Sequence, residues 1–259
     1  MNGIIALTPF DYLIVLPFIF LAGLIDSIAG GGGLISLPAY VAAGLPMHTA
    51  LATNKFSSAC GTVFSTANYF HAKMIDLPVA ACSAGLALIG SFLGTRIVLL
   101  VSSDFLRYLL VFLIPVIAAI TLLRKDLGHH NRSRQVKLGV RMLLGSLAGL
   151  LIGFYDGFFG PGTGTFLILV YALLLHYDFV VANGNTKVVN LASNIAALAA
   201  FLIAGKVYFP LALPAAACGI AGNLIGSKLV IRNGNKLIRP IFVLALLLLL
   251  GRIVFDLVR

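Results

Sequence analysis

Glutamate and tryptophan are absent from this 259-residue chain, and its eight acidic side chains are all aspartates. Charged residues make up 10% of the sequence against 60% hydrophobic, and the mean hydropathy is +1.07. So little polar material cannot cover a soluble globule, which makes lipid the expected solvent. Cysteine is scarce as well. Cys60, Cys82 and Cys218 stand singly in apolar runs with no CxxC spacing, the pattern of small buried hydrophobes rather than of a disulfide framework. His129 and His130 adjoin in a basic loop, and two neighbouring imidazoles do not complete a metal shell, so neither a metal nor a cofactor is expected. Catalytic signatures are missing too. Without a GxSxG elbow, an HExxH helix or an intramembrane His cluster, the chain does not read as an enzyme. Without a GxxxxGK[ST] phosphate loop, or a hydrophilic stretch to hold one, it does not read as an ATP-driven pump. Met1 to Phe10 lack a positive n-region and an A-x-A cleavage pattern, so the first helix is expected to stay as an anchor.

The sequence is rich in long apolar runs. Ten segments can be read, at roughly 10–28, 34–45, 51–70, 77–101, 105–123, 138–158, 165–177, 186–204, 208–231 and 236–258, an all-α polytopic membrane protein of eight to ten membrane segments. The second and seventh cover only about 18–20 Å at 1.5 Å per residue, too short to cross a core of roughly 30 Å unaided. The surplus of 18 Lys and Arg, a net charge of +10, gathers between hydrophobic segments. That placement follows the positive-inside rule and argues against a nucleic-acid partner. Arg124, Lys125, Arg132, Arg134, Lys137 and Arg141 mark the linker 124–137 as cytoplasmic, and Lys228, Arg232, Lys236 and Arg239 mark the link before the last segment. If all ten segments change sides, both clusters are cytoplasmic and both termini external. If the two short segments dip in and return while the other eight span, the clusters fall on opposite sides.

An internal repeat divides the chain into a first membrane unit, 1–123, the linker 124–137 and a second unit, 138–259. Gly23, Asp26, Gly30 and Gly32 match Gly153, Asp156, Gly160 and Gly162 at an offset of 130. At an offset of 132, Lys55 meets Lys187, Pro78 meets Pro210, Gly90 meets Gly222, Gly94 meets Gly226 and Arg96 meets Lys228. Two homologous halves with five segments each would lie in the membrane in opposite orientations, an inverted repeat.

The candidate site falls at the repeated motifs. Gly30 to Gly33 and Gly160 to Gly164 should break their helices, and irregular backbone at membrane depth lines a cavity or serves as a tight interhelical turn. Gly31, Gly32, Gly162 and Thr163 are candidate ligand contacts there. Thr53, Asn54 and Lys55, mirrored by Asn185, Thr186 and Lys187, are expected to open their helices, so that free N–H groups, the helix dipole and a Lys charge converge on an anion. Each Lys alone would be read as snorkelling to the interface. Ser57, Ser58, Thr62, Ser65 and Asn68, with Asn190, Ser193 and Asn194 in the second unit, are candidates for lining the path, or for bonding helix to helix. Asp26 and Asp156 are costly in apolar surroundings; they are read as proton or ion coupling groups, as partners of Lys55 or Lys187, or as caps of the broken helices.

These same residues resemble the TauE/SafE family of membrane proteins, through Gly23-x-x-Asp26-x-x-Ala29 followed by Gly30 to Gly33, Ala52 to Lys55 with Gly61 and Thr62, Gly153-x-x-Asp156-Gly157 with Gly160 to Gly164, and Asn185 to Lys187. The resemblance implies about eight membrane helices and export of sulfite, a sulfonate or a related sulfur anion. The expectation is a secondary transporter of a small anion in the cell membrane, the bacterial inner membrane if the source is bacterial, working by alternating access with protons as a coupling ion. A passive anion channel and a non-transporting scaffold are the alternatives.

Overall fold

The computed structural model describes residues 7–102, 105 and 131–234. The segments read at 105–123 and 236–258 therefore lie almost wholly outside the described residues. Among those described there are eight α-helices and no strand: α1 Pro9–Ala29, α2 Gly33–Ala42, α3 Met47–His71, α4 Leu77–Val98, α5 Leu138–Phe158, α6 Thr163–Leu174, α7 Phe179–Ile203 and α8 Phe209–Asn233. Five of them, α1, α4, α5, α7 and α8, are long and apolar enough to cross a membrane. Helix α3 has the length, at 25 residues, but carries Thr53, Asn54, Lys55, Ser57 and Ser58 in its interior.

Two helix starts differ from the sequence reading. Helix α3 begins at Met47, after Pro46 in an extended conformation, and α7 begins at Phe179, where the Asp178 carboxylate accepts the Val181 N–H. A Pro and an Asp set these starts a turn or two ahead of the polar triplets. Thr53-Asn54-Lys55 and Asn185-Thr186-Lys187 thus lie inside helices and present no free N-terminus.

The short helices settle how the chain turns. One apolar cluster joins Leu7 and Tyr12 before and within α1 to Leu45 after α2, Met47 at the start of α3, Val98 at the end of α4 and Val207 ahead of α8. Both ends of the α1–α2 pair therefore lie at the same end of the bundle. A second cluster joins Met142 in the first turns of α5 to Leu175 and Tyr177 after α6 and Val79 at the start of α4. The α5–α6 pair thus opens from the opposite end. A third cluster adds Met74, Ile75, Val180 and Val230 to that end. The two hairpins meet at their tips, where Gly30 and Gly164 touch so closely that a Cβ on Gly30 would run into the Gly164 carbonyl carbon.

Around the hairpins the largest contacts are α4 on α5 and α1 on α8, then α3 on α8 and α4 on α7, with α3 against α7 between them. Small residues let the backbones approach, as helices packed in lipid require. A Cβ on Gly94 would overlap the Phe154 carbonyl oxygen, and one on Gly226 would fall 2.5 Å from that of Leu24. Gly94→Val is therefore expected to part α4 from α5 at a cost of about 1–3 kcal/mol or more, visible as a melting temperature several degrees lower in detergent. An unchanged melt would show that the contact is dispensable. The outward faces carry aliphatic stripes, Ile89, Leu93 and Ile97 on α4 and Leu143, Leu147 and Leu151 on α5, at the four-residue spacing of one helix face. They suit acyl chains.

At the second end, Arg141 on α5 pairs with Asp76, which also accepts the Tyr177 hydroxyl at 2.6 Å. Burial, chiefly, and the neighbouring Asp76 carboxylate raise the Tyr177 phenol above its ordinary range, so it stays a neutral donor. This cluster ties the α3–α4 link, α5 and the α6–α7 link together.

Candidate functional site

The repeated charges meet across the halves. Lys55 Nζ lies 2.7 Å from Asp156 Oδ2, and Lys187 Nζ lies 2.8 Å from Asp26 Oδ2. Of the roles read for the two aspartates, pairing with the lysines is what the geometry contains, each Lys on a long helix of one half reaching the hairpin of the other. A bond to a freed backbone N–H is present at Asp26, while Asp156 holds a side-chain hydroxyl of its hairpin turn. Asp26 Oδ1 accepts the Gly32 N–H at 3.3 Å, and Asp156 Oδ1 accepts the Thr163 hydroxyl at 2.8 Å. Burying two ion pairs costs several kcal/mol per ion in desolvation, which these extra hydrogen bonds offset in part.

A small polar cavity of about 20 Å³ sits between the hairpin tips, lined by Lys55, Asn54, Ser58, Asp26, Asp156, Asn190 and Asn194, with Gly31, Gly33, Gly160, Gly162, Thr163 and Gly164. Lys55 also donates to Asn194 Oδ1 at 3.0 Å, and its ammonium lies 3.3 Å from the Cβ position of Gly160. Positive φ angles of 74° at Gly30 and 87° at Gly162 turn the chain at each tip, where a side chain would be strained. Helix α2 begins at Gly33 and α6 at Thr163, each after a glycine at the N-cap position that has no side chain to cap it. Their first-turn N–H groups, with the positive ends of two helix dipoles, border the cavity beside the Lys55 charge. The dipoles that face the cavity thus belong to α2 and α6 and not, as the sequence suggests, to α3 and α7. The cavity thus brings together one ammonium, two carboxylates, several amides and hydroxyls and two helix N-termini, a polar setting for a small charged ligand.

The candidates divide accordingly. Lys55, Asn54, Ser58, Asn190, Asn194, Gly31, Gly162, Thr163, Asp26 and Asp156 line this cavity, while Gly32 borders a neighbouring one. Lys187 is fully buried behind Asp26, donating also to the Asp26 carbonyl. Thr53 and Asn185 are drawn away from the cavity. The Thr53 hydroxyl accepts the Tyr208 N–H just before α8, and the Asn185 side chain accepts the Asp76 N–H just before α4, so both anchor helix starts. Thr186 and Thr62 are buried with hydroxyls that have no partner among the described residues, and neither lines the cavity. Sequence reasoning passes over Ser36, whose hydroxyl donates to Asn54 Oδ1 at 2.6 Å, because a lone Ser in a short apolar segment carries no pattern. Ser193, a candidate for lining the path or bonding helix to helix, donates its hydroxyl to Asp156 Oδ2 at 2.5 Å.

An all-helical bundle with apolar outer faces and buried charges around a central polar cavity is a multi-pass membrane protein. The sulfite exporter TauE/SafE family matches residues 15–253. The "Probable membrane transporter protein YfcA" of Escherichia coli K12 is 34% identical over 255 residues, covering 98% of this chain and 94% of that protein. A "Probable membrane transporter protein" of Haemophilus influenzae is 34% identical over 237 residues, 92% of each chain, and YdhB of Bacillus subtilis is 23% identical over 222 residues, 83% of this chain and 89% of its own. No solved structure matches. The chain belongs to the TauE/SafE family, and it is a membrane transporter; the family and relatives carry the names of transporters rather than of enzymes.

Proposed function

We propose that the chain is a secondary transporter that carries a small anion, of the class of sulfite or a sulfonate, through the central cavity by alternating access. The observation that carries this reading is Lys55, an ammonium in a polar cavity bordered by the N-termini of α2 and α6. Lys55, Asn54, Ser58, Thr163, Asn190 and Asn194 hold the anion, aided by the amides at Gly31 to Gly33 and Gly162 to Gly164. Lys187, Asn185, Thr53, Thr186 and Thr62 support the same architecture from behind.

The units 1–123 and 138–259 form an inverted repeat, with 124–137 as the linker. Several equivalences support it. Gly90 against Leu150 corresponds to Gly222 against Phe20, Lys55 on Asp156 to Lys187 on Asp26, and Thr53 on Tyr208 to Asn185 on Asp76. Two hairpins that open from opposite ends and share one tip give two similar packings, each open to one side.

The end that holds Lys73, Arg132, Arg134, Lys137, Arg141, Lys228 and Arg232 is cytoplasmic by the positive-inside rule, which places the end holding Lys206 and residue 7 outside. In a cysteine-less background, Cys in place of Arg134 should react with an impermeant maleimide only from the cytoplasmic face, and Cys in place of Lys206 only from outside. The reverse pattern would invert the topology.

Two lysines and two aspartates make the buried quartet neutral. A monoanion entering it leaves a net negative charge in low dielectric unless a cation accompanies it. A proton or another monovalent cation taken up at Asp26 or Asp156 meets that need, and a saturable, coupled flux separates this reading from a passive channel. The test is sulfite or small-sulfonate flux in proteoliposomes, with and without an ion gradient. Saturable flux that responds to the gradient supports the reading, and flux that is absent, or neither saturable nor responsive to the gradient, contradicts it.

A further inference from the structure

A second cavity of about 20 Å³ lies beside the first, lined by Asp26, Asn54, Ser57, Ser58, Gly219 and Asn223 among others. Asp26, Asn54 and Ser58 border both cavities. Here the two halves differ. At the offset of 132, Gly61, Gly219 and Asn223 stand where the other half has Ser193, Ala87 and Ser91. In that other half the Ser193 hydroxyl bonds Asp156, and the Ser91 hydroxyl bonds the Ser193 carbonyl at 2.6 Å. The Asp156 carboxylate accepts from Lys55, Ser193 and Thr163 and its side chain is 3% exposed.

Asp26 is left differently. With Gly61 in place of a serine it lacks the hydroxyl, its Oδ1 has among the described residues only the long bond from Gly32, and its side chain is 17% exposed. Asn223, itself 3% exposed, spends its Nδ2 on the Gly219 carbonyl at 3.0 Å, and its Oδ1 has no partner among the described residues. A Cβ on Gly61 would lie 2.5 Å from that Nδ2, so the glycine makes room for the carboxamide.

We propose that this second cavity binds a sodium ion, with Asp26 as the charged ligand, Asn223 Oδ1 as a neutral one and the Ser57 and Ser58 hydroxyls beside them. A set of hard oxygens suits a hard cation. A single carboxylate already shared with Lys187 supplies too little charge for a divalent ion. A proton would need the carboxylate alone and would leave the buried Asn223 oxygen without a partner. Sodium at Asp26 turns the neutral quartet positive at the wall of the first cavity, which is the coupling that an entering anion needs. The inference rests on the transporter reading of that cavity.

The experiment measures radioactive sodium bound to the purified protein in detergent. Wild type is expected to bind saturably, with displacement by unlabelled sodium and not by potassium. Asp26→Asn and Asn223→Ser, the latter the residue of the other half, should each weaken binding by about tenfold or more, roughly 1.4 kcal/mol. Asn223→Ser only shortens a side chain, and a melt in potassium chloride like that of wild type shows that it is folded. No saturable binding in wild type, or unchanged binding in folded Asn223→Ser, overturns the proposal. In proteoliposomes with a protonophore, an inward sodium gradient should accelerate sulfite uptake in wild type and not in Asn223→Ser; uptake driven by protons and indifferent to sodium also overturns it. Sodium binding without any sulfite flux would sustain the ion site while contradicting the transporter reading.

Discussion

Lys55→Ala is expected to lower sulfite flux in proteoliposomes by on the order of a hundredfold, because truncating one member of a buried, hydrogen-bonded charge pair costs about 2–5 kcal/mol. Loss of flux alone is ambiguous. The same substitution leaves the Asp156 carboxylate buried with only the Ser193 and Thr163 hydroxyls, which destabilises the protein by about 3–5 kcal/mol. The double variant Lys55→Ala/Asp156→Asn removes that penalty. Asp156→Asn keeps an oxygen for the two hydroxyls, so the double variant should recover much of the lost melting temperature without recovering flux. Recovery of flux as well would mean that Lys55 serves the fold and not the anion, and the proposed site would fall. Coupling between the two positions is expected because they share a contact, and the non-additivity of the cycle measures it.

The second large effect concerns the other pair. Lys187→Asp would set two carboxylates together with no cation, and a fully buried position offers no water to relieve them, so no stable protein is expected. Asp26→Lys alone fails for the converse reason, with two ammonium groups at one site. The exchange Asp26→Lys/Lys187→Asp restores one charge of each sign and should return monodisperse protein. Because Asp26 borders both cavities while Lys187 borders neither, the swap puts a positive charge where the cation is to bind. Folded protein with impaired flux is the expected outcome. A swap variant as unstable as the single reversals would mean that the Lys187 contact with the Asp26 carbonyl, rather than the pair itself, holds the helices.

Much of this arrangement is legible in the amino-acid sequence. Apolar runs define α5 as 138–158 and bracket α2 and α6 within a few residues, since a helix in lipid is a matter of length and composition. The matched spacing of Asp26 with Asp156 and of Lys55 with Lys187 picks out the residues that meet at the tips. Which side chain faces which element is not legible. Thr53 and Asn185 look like ligand residues in the sequence, but their neighbours are the N–H groups of Tyr208 and Asp76, more than a hundred residues away. The start of α3 is hard to place because His48 and Thr49 interrupt the apolar run, while Gly44 and Pro46, the signals that set the start, lie well ahead of the polar triplet. The departure from symmetry at Gly61, Gly219 and Asn223 is present in the sequence. It acquires meaning only when Gly61 is seen to make room for Asn223, and Gly219 and Asn223 to share a wall with Asp26.

The central question is where an anion sits. An experimental structure of the protein soaked with selenite, an oxyanion of sulfite's shape whose selenium scatters anomalously, answers this most directly. An anomalous peak is expected in the cavity between the hairpin tips, within hydrogen-bond reach of Lys55 Nζ and facing the first turns of α2 and α6. A peak elsewhere, with Lys55 still closed on Asp156 and the cavity bare, would contradict the proposed site.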